Sequence, residues 1–244
     1  MQKAAEVIRN AKNMIALTGA GISVESGIPD FRSAGGLWEK YNPEIYANIE
    51  SFVRNPVMVW DMLFDMIDLT SNAKPNPAHV ALAKLEEMGL LKGIITQNVD
   101  NLHQAGGSKN VIEYHGNSSQ LECMQCGKLY DPDITELTQK IVPKCKPCDK
   151  VLKPTVVFFG EAIPFGAMTK SQALAEAADV VLVVGTSAVV YPCAAIPLIA
   201  RQNGATIVVF DLEQTALTLT EKDILILGPA GKTLPEVIEL IQSA

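Results

Sequence analysis

Residues 16–32, ALTGAGISVESGIPDFR, carry an apolar run straight into a loop that holds Gly19, Gly21 and Gly27. In an open parallel sheet, ligands gather beyond the carboxyl ends of the strands, so a strand opening into glycines suggests both a fold class and a place within it. Gly19 and Gly21 let the backbone come close to an anion, and N–H groups at a following helix start favour negative charge there. A pyrophosphate fits such a loop. The dinucleotide fingerprint is nevertheless absent: five residues separate Gly21 from Gly27 where the fingerprint has two, and no acidic-ended second strand follows at the required distance. A glycine pair after a strand also serves as an ordinary tight turn. The irregular span 21–36 has the length of a loop that is usually functional or disordered, and Arg32 within it can pair with a phosphate.

Outward from this stretch, apolar runs alternate with helical patterns. Strands are predicted at MIALT (14–18), GIITQ (93–97), VIEYH (111–115), TVVFF (155–159), VVLVVG (180–185), TIVVFD (206–211) and ILILG (224–228). Several are apolar throughout, which suits a parallel sheet covered on both faces. The clearest helix follows Asn76, a capping residue, with Pro77 in the first turn and Gly89 as terminator. Others are predicted at 167–178, 192–203 and 231–242, giving an α/β doubly wound pattern. Two stretches break it: 34–75, aromatic and helical, and 116–154, which holds four of the five cysteines. Both read as insertions forming a second lobe.

With 48% hydrophobic and 19% charged residues and no run of 18 uncharged apolar residues, the 244-residue chain is expected to be globular and to span no membrane. The N-terminal MQKAAEVIRNAKNM reads as an amphipathic helix without the apolar core of a signal peptide, so a cytosolic location is expected. A net charge of -7 disfavours a nucleic-acid footprint and favours basic peptides as partners.

Cys123, Cys126, Cys145 and Cys148 form C-x2-C-x18-C-x2-C, a spacing that lets two tight turns present four thiolates to one tetrahedral zinc. Four sulfur ligands leave no position for water, so the site is expected to be structural. Paired disulfides are the competing reading, disfavoured by the expected compartment. Cys193 reads as a buried small hydrophobe. Of the three histidines, His79 reads as a packing or surface residue of its helix, and His103 falls in the first turn of a short helix. His115 closes a predicted strand, the position of a general base. Gln97, Asn98 and Asp100, the GTS at 185–187, and Asp211 close other strands. Each alone is compatible with plain turn chemistry; together they point to a ligand.

The motifs TGAGIS, GIPDFR, TQNVD, YHG, the paired C-x2-C, VVFFGE and GTSAVV, in this order over roughly residues 2–241, resemble the sirtuins, NAD-dependent protein lysine deacylases. The resemblance implies a Rossmann-like large domain (1–33, 80–115, 155–244) and a small domain of a helical module (34–79) and a zinc module (116–154), with NAD and acyl-lysine meeting between them. It implies that the opening loop binds NAD through a non-standard glycine pattern. By motif, Gly19, Ala20, Gly21, Phe31 and Arg32 would line the cofactor loop. Gln97 and Asn98 would hold the ribose and a water, and Val99 and Asp100 the nicotinamide carboxamide. Gly185, Thr186, Ser187, Asp211, Glu213 and Ala230 would complete the NAD contacts. His115 would be the general base, with Asn98 beside it in the catalytic set. In the family's mechanism the acetyl-lysine oxygen displaces nicotinamide, and His115 helps activate the ribose hydroxyl that attacks the resulting imidate. The products are lysine, nicotinamide and O-acetyl-ADP-ribose. Val157, Phe159, Gly160 and Glu161 on one side, with Ala188, Val189 and Val190 on the other, would hold the acetylated peptide as an added strand.

Two departures from family patterns bear on detail. Asp211 stands where many sirtuins have Asn, placing a further negative charge near NAD. Succinyl-preferring members carry Tyr and Arg where Leu63 and Met66 stand here, so acetyl or apolar acyl groups are expected over succinyl. Mono-ADP-ribosyl transfer is the alternative activity. A nucleic-acid-binding zinc ribbon is disfavoured by the acids beside the cysteines, and a hydride-transferring dehydrogenase by the missing fingerprint.

Overall fold

The structure, a computed structural model, describes residues 1–31 and 36–243. Its strands are β1 (Met14–Thr18), β2 (Leu91–Thr96), β3 (Val111–Glu113), β4 (Gly116–Glu122), β5 (Leu129–Tyr130), β6 (Lys153–Val156), β7 (Val180–Val184), β8 (Thr206–Asp211) and β9 (Ile224–Leu227). Its α-helices are α1 (Gln2–Asn10), α2 (Leu37–Lys40), α3 (Pro43–Tyr46), α4 (Ile49–Arg54), α5 (Pro56–Ser71), α6 (Pro77–Glu87), α7 (Leu102–Ala105), α8 (Ile134–Thr138), α9 (Phe165–Ala177), α10 (Ile196–Gln202) and α11 (Ala230–Gln242). Among the described residues no helix is long and apolar enough to cross a membrane.

The chain divides into two compact units, one of Met1–Pro29, Lys74–Tyr114 and Pro164–Ala244, the other of Asp30–Ala73 and His115–Ile163. The first is a Rossmann-like α/β layer structure. Its six strands run in the order β3-β2-β1-β7-β8-β9, every neighbouring pair parallel. All residues of β1 and β7 are buried, as a central parallel strand covered on both faces requires. Met14, Ala16, Ile94, Leu182, Val184, Val208 and Phe210 face a core completed by Ile8 of α1, Leu82 and Leu85 of α6, and Leu234, Val237 and Ile238 of α11. Each Val, Leu, Ile, Met or Phe among them contributes about 1.5–3 kcal/mol by leaving water. Helices α9 and α10 pack on the sheet through β2, β3, β7 and β8. Helix α6 starts where the sequence signals it. Asn76 accepts from the Ala78 amide (2.9 Å), His79 closes a capping box, Pro77 occupies the first turn and Gly89 takes φ +75°.

The second unit joins helices α2–α5 and α8 to a small antiparallel sheet ordered β5-β4-β6. Trp60 of α5, 1% exposed, donates its indole N–H to the Leu152 carbonyl at 2.9 Å. This bond ties the helical stretch to the segment just after Cys148.

Two sequence readings need correction here. The run expected as a strand at 155–159 forms β6 at 153–156, and it pairs antiparallel with β4 instead of joining the parallel sheet. A uniformly apolar run reports burial and not the direction of its partner. The strand expected at 111–115 ends at Glu113, because Gly116 at φ +72° turns the chain back; a Cβ there would lie 2.2 Å from the Thr155 carbonyl oxygen. His115 therefore occupies the turn between β3 and β4.

Candidate active site

In the first unit the order of connection reverses between β1 and β7, so the carboxyl ends of these two strands border the switch-point crevice where such sheets bind ligands. Gly19 and Gly21 lie there. The Gly19 N–H donates to the Val184 carbonyl (3.2 Å) and the Gly21 N–H to the Gly185 carbonyl (2.8 Å). A Cβ on Gly19 would stand 2.7 Å from the Thr186 Cβ, and one on Gly21 would stand 2.8 Å from the Gly185 Cα and oxygen. Both positions exclude a side chain because the two strand ends close on each other. Ala20–Ser26 then form a 3₁₀ helix, so the first part of the span expected to be irregular is ordered, and Gly27 ends it at φ +86°.

Below this helix lies a polar network. The Gln97 amide donates to the Thr18 carbonyl (3.0 Å), and its side chain donates to Thr186 Oγ1 (2.9 Å), linking the TQNVD and GTS strand ends. Asn98, 8% exposed, donates from Nδ2 to the Gly19 carbonyl and to Ser23 Oγ, both at 3.1 Å. Ser23 Oγ donates to Asp100 Oδ2 (2.6 Å), and Asp100 Oδ1 accepts from the Leu102 amide (3.0 Å). Thr96 Oγ1 accepts from the Asn98 amide (3.1 Å) and from Thr18 Oγ1 (2.9 Å), and Thr18 Oγ1 lies 2.8 Å from His103 Nε2. His103 and His79 stack edge to face with centroids 4.9 Å apart. Burial pushes His79 down to about 4 and His103 down to about 3, so both imidazoles are neutral near pH 7. His79 is thus a packing residue, as expected.

Of the remaining positions on this unit, Asp211 ends β8 and accepts from the Leu212 amide (2.8 Å). Burial raises its carboxyl above the usual range against the pull of that bond. Glu213 is exposed, and Ala230 opens α11, whose Gly231 amide donates to Glu25 Oε2 (2.7 Å). Ala188 holds φ +54° and follows exposed Ser187, with Val189 exposed and Val190 half-buried. Cys193 is fully buried and its thiol is pushed up to about 12, which fits a small hydrophobe.

His115 and the VVFFGE residues fall in the second unit. The Val157 amide donates to the His115 carbonyl at 2.8 Å. The Phe159 amide donates to the Ala47 carbonyl (2.8 Å), and the Phe159 carbonyl accepts from the Ile49 amide (3.0 Å), so this segment is paired on one edge. Phe159 is 44% exposed, and Gly160 turns the chain at φ +88°. Phe31 belongs to the same unit; Arg32 lies outside the described residues.

The four cysteines of this unit are positioned to bind one zinc ion. Their Sγ atoms lie within 4.8 Å of one another, and Cys126 and Cys145 are 3.8 Å apart, against about 3.8 Å between sulfurs of a tetrahedral zinc with bonds of about 2.3 Å. The two knuckles repeat one geometry. The Gly127 amide donates to the Cys123 carbonyl and the Asp149 amide to the Cys145 carbonyl, each 2.8 Å, and Gly127 and Asp149 both take left-handed backbone angles. Tyr130 Oη lies 3.2 Å from Cys145 Sγ, a hydroxyl placed to donate to a thiolate.

The first unit thus brings Gly19, Gly21, Gln97, Asn98, Asp100 and Thr186 into one network. Ser23, Thr18, Thr96 and His103 belong to it as well and went unassigned from sequence, since hydroxyls and a helical histidine carry no motif until the strand ends meet. Residues 19–192 match the model of the Sir2 family. An NAD-dependent protein deacylase of Pyrococcus abyssi is 46% identical over 242 residues, covering 98% of this chain and 96% of that protein. A solved complex of a Sir2 homologue with NAD superposes with a TM-score of 0.90 at 40% identity, covering 100% of this chain and 94% of that one. A Sir2 structure bound to a myristoylated histone peptide superposes at 0.84 with 36% identity, covering 99% and 96%. With the matched region running from the glycine loop past both cysteine pairs to the GTS strand end, this chain belongs to the Sir2 family.

Proposed function

We propose that this chain is an NAD-dependent protein lysine deacylase of the cytosol that transfers the acetyl group of acetyl-lysine to ADP-ribose. The observation that carries this reading is that the family match, 19–192, encloses the glycine loop, the TQNVD end, His115, the cysteines and the VVFFGE and GTSAVV segments together. NAD, when bound, supplies the ADP-ribose acceptor and the nicotinamide leaving group. Gly19, Ala20, Gly21, Phe31, Arg32, Gln97, Gly185, Thr186 and Ser187 would hold it, with Asp211, Glu213 and Ala230 toward its adenosine end. The hydrogen bonds from Asn98 Nδ2 to the Gly19 carbonyl and Ser23 Oγ hold that amide against the loop, which suits a group that orients a ribose and a water. Val99 and Asp100 would face the carboxamide. His115 takes a proton from the ribose hydroxyl as general base. Val157, Phe159, Gly160 and Glu161, with Ala188, Val189 and Val190, would receive the peptide backbone, a mode that reads sequence loosely. The domain division follows the same reading, with the helical and zinc modules serving the peptide and the parallel sheet serving NAD.

The acyl group would be acetyl or a longer apolar chain. Leu63 is buried and Met66 half-buried on α5, and neither offers a charge to a succinyl carboxylate, whose burial unpaired is costly. The relative that binds a myristoylated histone peptide supports an apolar acyl site. Mass spectrometry of the protein incubated with NAD and an acetyl-lysine peptide tests the activity. Nicotinamide and O-acetyl-ADP-ribose should appear together, and His115→Ala should abolish formation of O-acetyl-ADP-ribose and free lysine. Label from NAD on protein without O-acetyl-ADP-ribose would replace deacylation with ADP-ribosyl transfer. Equal turnover of succinylated and acetylated peptides would refute the acyl preference.

A further inference from the structure

We infer that Lys153 is a positioning residue, which by holding Glu161 against β6 fixes the 157–161 segment that receives the acylated peptide; this rests on the deacylase reading. Lys153 opens β6 and is 7% exposed. Its three ammonium protons meet three acceptors: the Pro154 carbonyl at 3.1 Å, the Val156 carbonyl at 2.6 Å and Glu161 Oε2 at 2.9 Å. The ammonium also sits 4.6 Å from the centroid of the Phe158 ring. A buried ammonium is tolerated only when paired, and every one of these partners comes from the nine residues 153–161. The cation therefore organises a local fold in the chain and links no distant elements.

Its main lever is Glu161. The same Oε2 accepts from the Phe158 amide (2.7 Å), and the Glu161 amide donates to the Phe158 carbonyl (3.0 Å), closing a turn through Gly160. The Phe158 ring, held by the cation, packs on Phe52 of α4 at 5.7 Å. The segment so fixed also carries the Val157 amide that bonds the His115 carbonyl. Because the Glu161 carboxylate is committed to Lys153 and to a backbone amide, Glu161 would meet a peptide through its backbone. Its charge does not serve to select basic sequences.

Lys153→Met removes the charge and keeps the length of the stem. Steady-state kinetics of the zinc-loaded full chain with NAD and an acetyl-lysine peptide should show the peptide KM raised roughly tenfold, as expected for a misplaced binding edge, with the KM for NAD unchanged. Lys153→Arg should restore the peptide KM to about twofold of the parent, since the ion pair is kept. A parent protein without deacylase activity would defeat the functional reading, and this inference with it. An active parent and a Lys153→Met variant with unaltered peptide KM would defeat the inference alone, as would a fall in kcat with no change in peptide KM. Should Lys153→Met lose its zinc or its helical circular dichroism, Glu161→Gln tests the same pair. It should raise the peptide KM likewise, and no change there would overturn the proposal.

Discussion

At Gly21 the sequence motif and the packing answer different questions. The motif suggests a glycine that admits a phosphate, whereas the structure shows the missing Cβ directed at the Gly185 backbone, 2.8 Å away. Gly185 itself holds φ +57°, and its own Cβ would lie 2.2 Å from the Ile22 nitrogen. Neither obstacle is the end of a flexible side chain, so relief requires the two strand ends to separate. Gly21→Ala should therefore lower stability by about 1–3 kcal/mol, the usual cost of overpacking. Urea unfolding measures the loss, and an unchanged midpoint would mean that the loop shifts freely. Because the separation also moves Gly19 and with it an acceptor of Asn98, the KM for NAD should rise in the same variant. That second effect distinguishes a glycine needed for the site from one needed for folding alone.

Among elements, α5 and the second cysteine knuckle are joined by a bond whose loss can be seen optically. The Lys140 ion pairs with Asp65 (3.3 Å) and Asp68 (3.1 Å) lie at the surface, where solvent screens them, so the Trp60 bond to Leu152 and the apolar burial around it matter more. Structural zinc in small cysteine modules contributes apparent binding energies of about 10–16 kcal/mol, comparable to the stability of a whole domain. Stripping zinc with a chelator should let water reach Trp60 and shift its emission to the red, read in a Trp38→Phe background because the chain has two tryptophans. Unaltered emission in metal-free protein would show that the knuckles fold without the ion. The cysteine module was legible because the spacing alone defines two knuckles. Likewise β1 and β8 were legible to the residue, each being an apolar run closed by Thr18 or Asp211. The partner of β6 was not, since pairing is a property of two segments. Lys153 was not either: a lysine before a proline reads as a surface cation until Glu161 folds back on it.

Over the whole molecule, the buried histidine pair makes stability depend on pH. His79 and His103 are 0% and 1% exposed, and His79 Nε2 and His103 Nδ1 have no hydrogen-bond partner among the described residues, so neither ring has a ready means of holding a second proton. Burial is the leading cause of both shifts, with the charge of Asp100 raising His79 slightly and His79 lowering His103. With folded values of about 4 and about 3 beneath an ordinary 6.5, the unfolded chain binds more protons throughout the interval. The stabilisation is therefore complete above the ordinary value and is lost as pH falls from there toward 4. Other groups act elsewhere or oppose it. Asp65, lowered to about 2 by Lys40 and Tyr41, loses its contribution only below the ordinary carboxylate value, and Asp211, raised by burial, works in the opposite direction. At about 1.4 kcal/mol per pKa unit, each histidine can withdraw roughly 2 kcal/mol between pH 7 and 5, as an upper bound. Urea midpoints measured at pH 7, 6 and 5 should fall steadily, and a His103→Gln variant, less stable at pH 7, should show a shallower fall. Midpoints that stay level from pH 7 to 5 would mean that the folded chain accepts these protons, and that the interior around Thr18 and Thr96 is wetter than its burial implies.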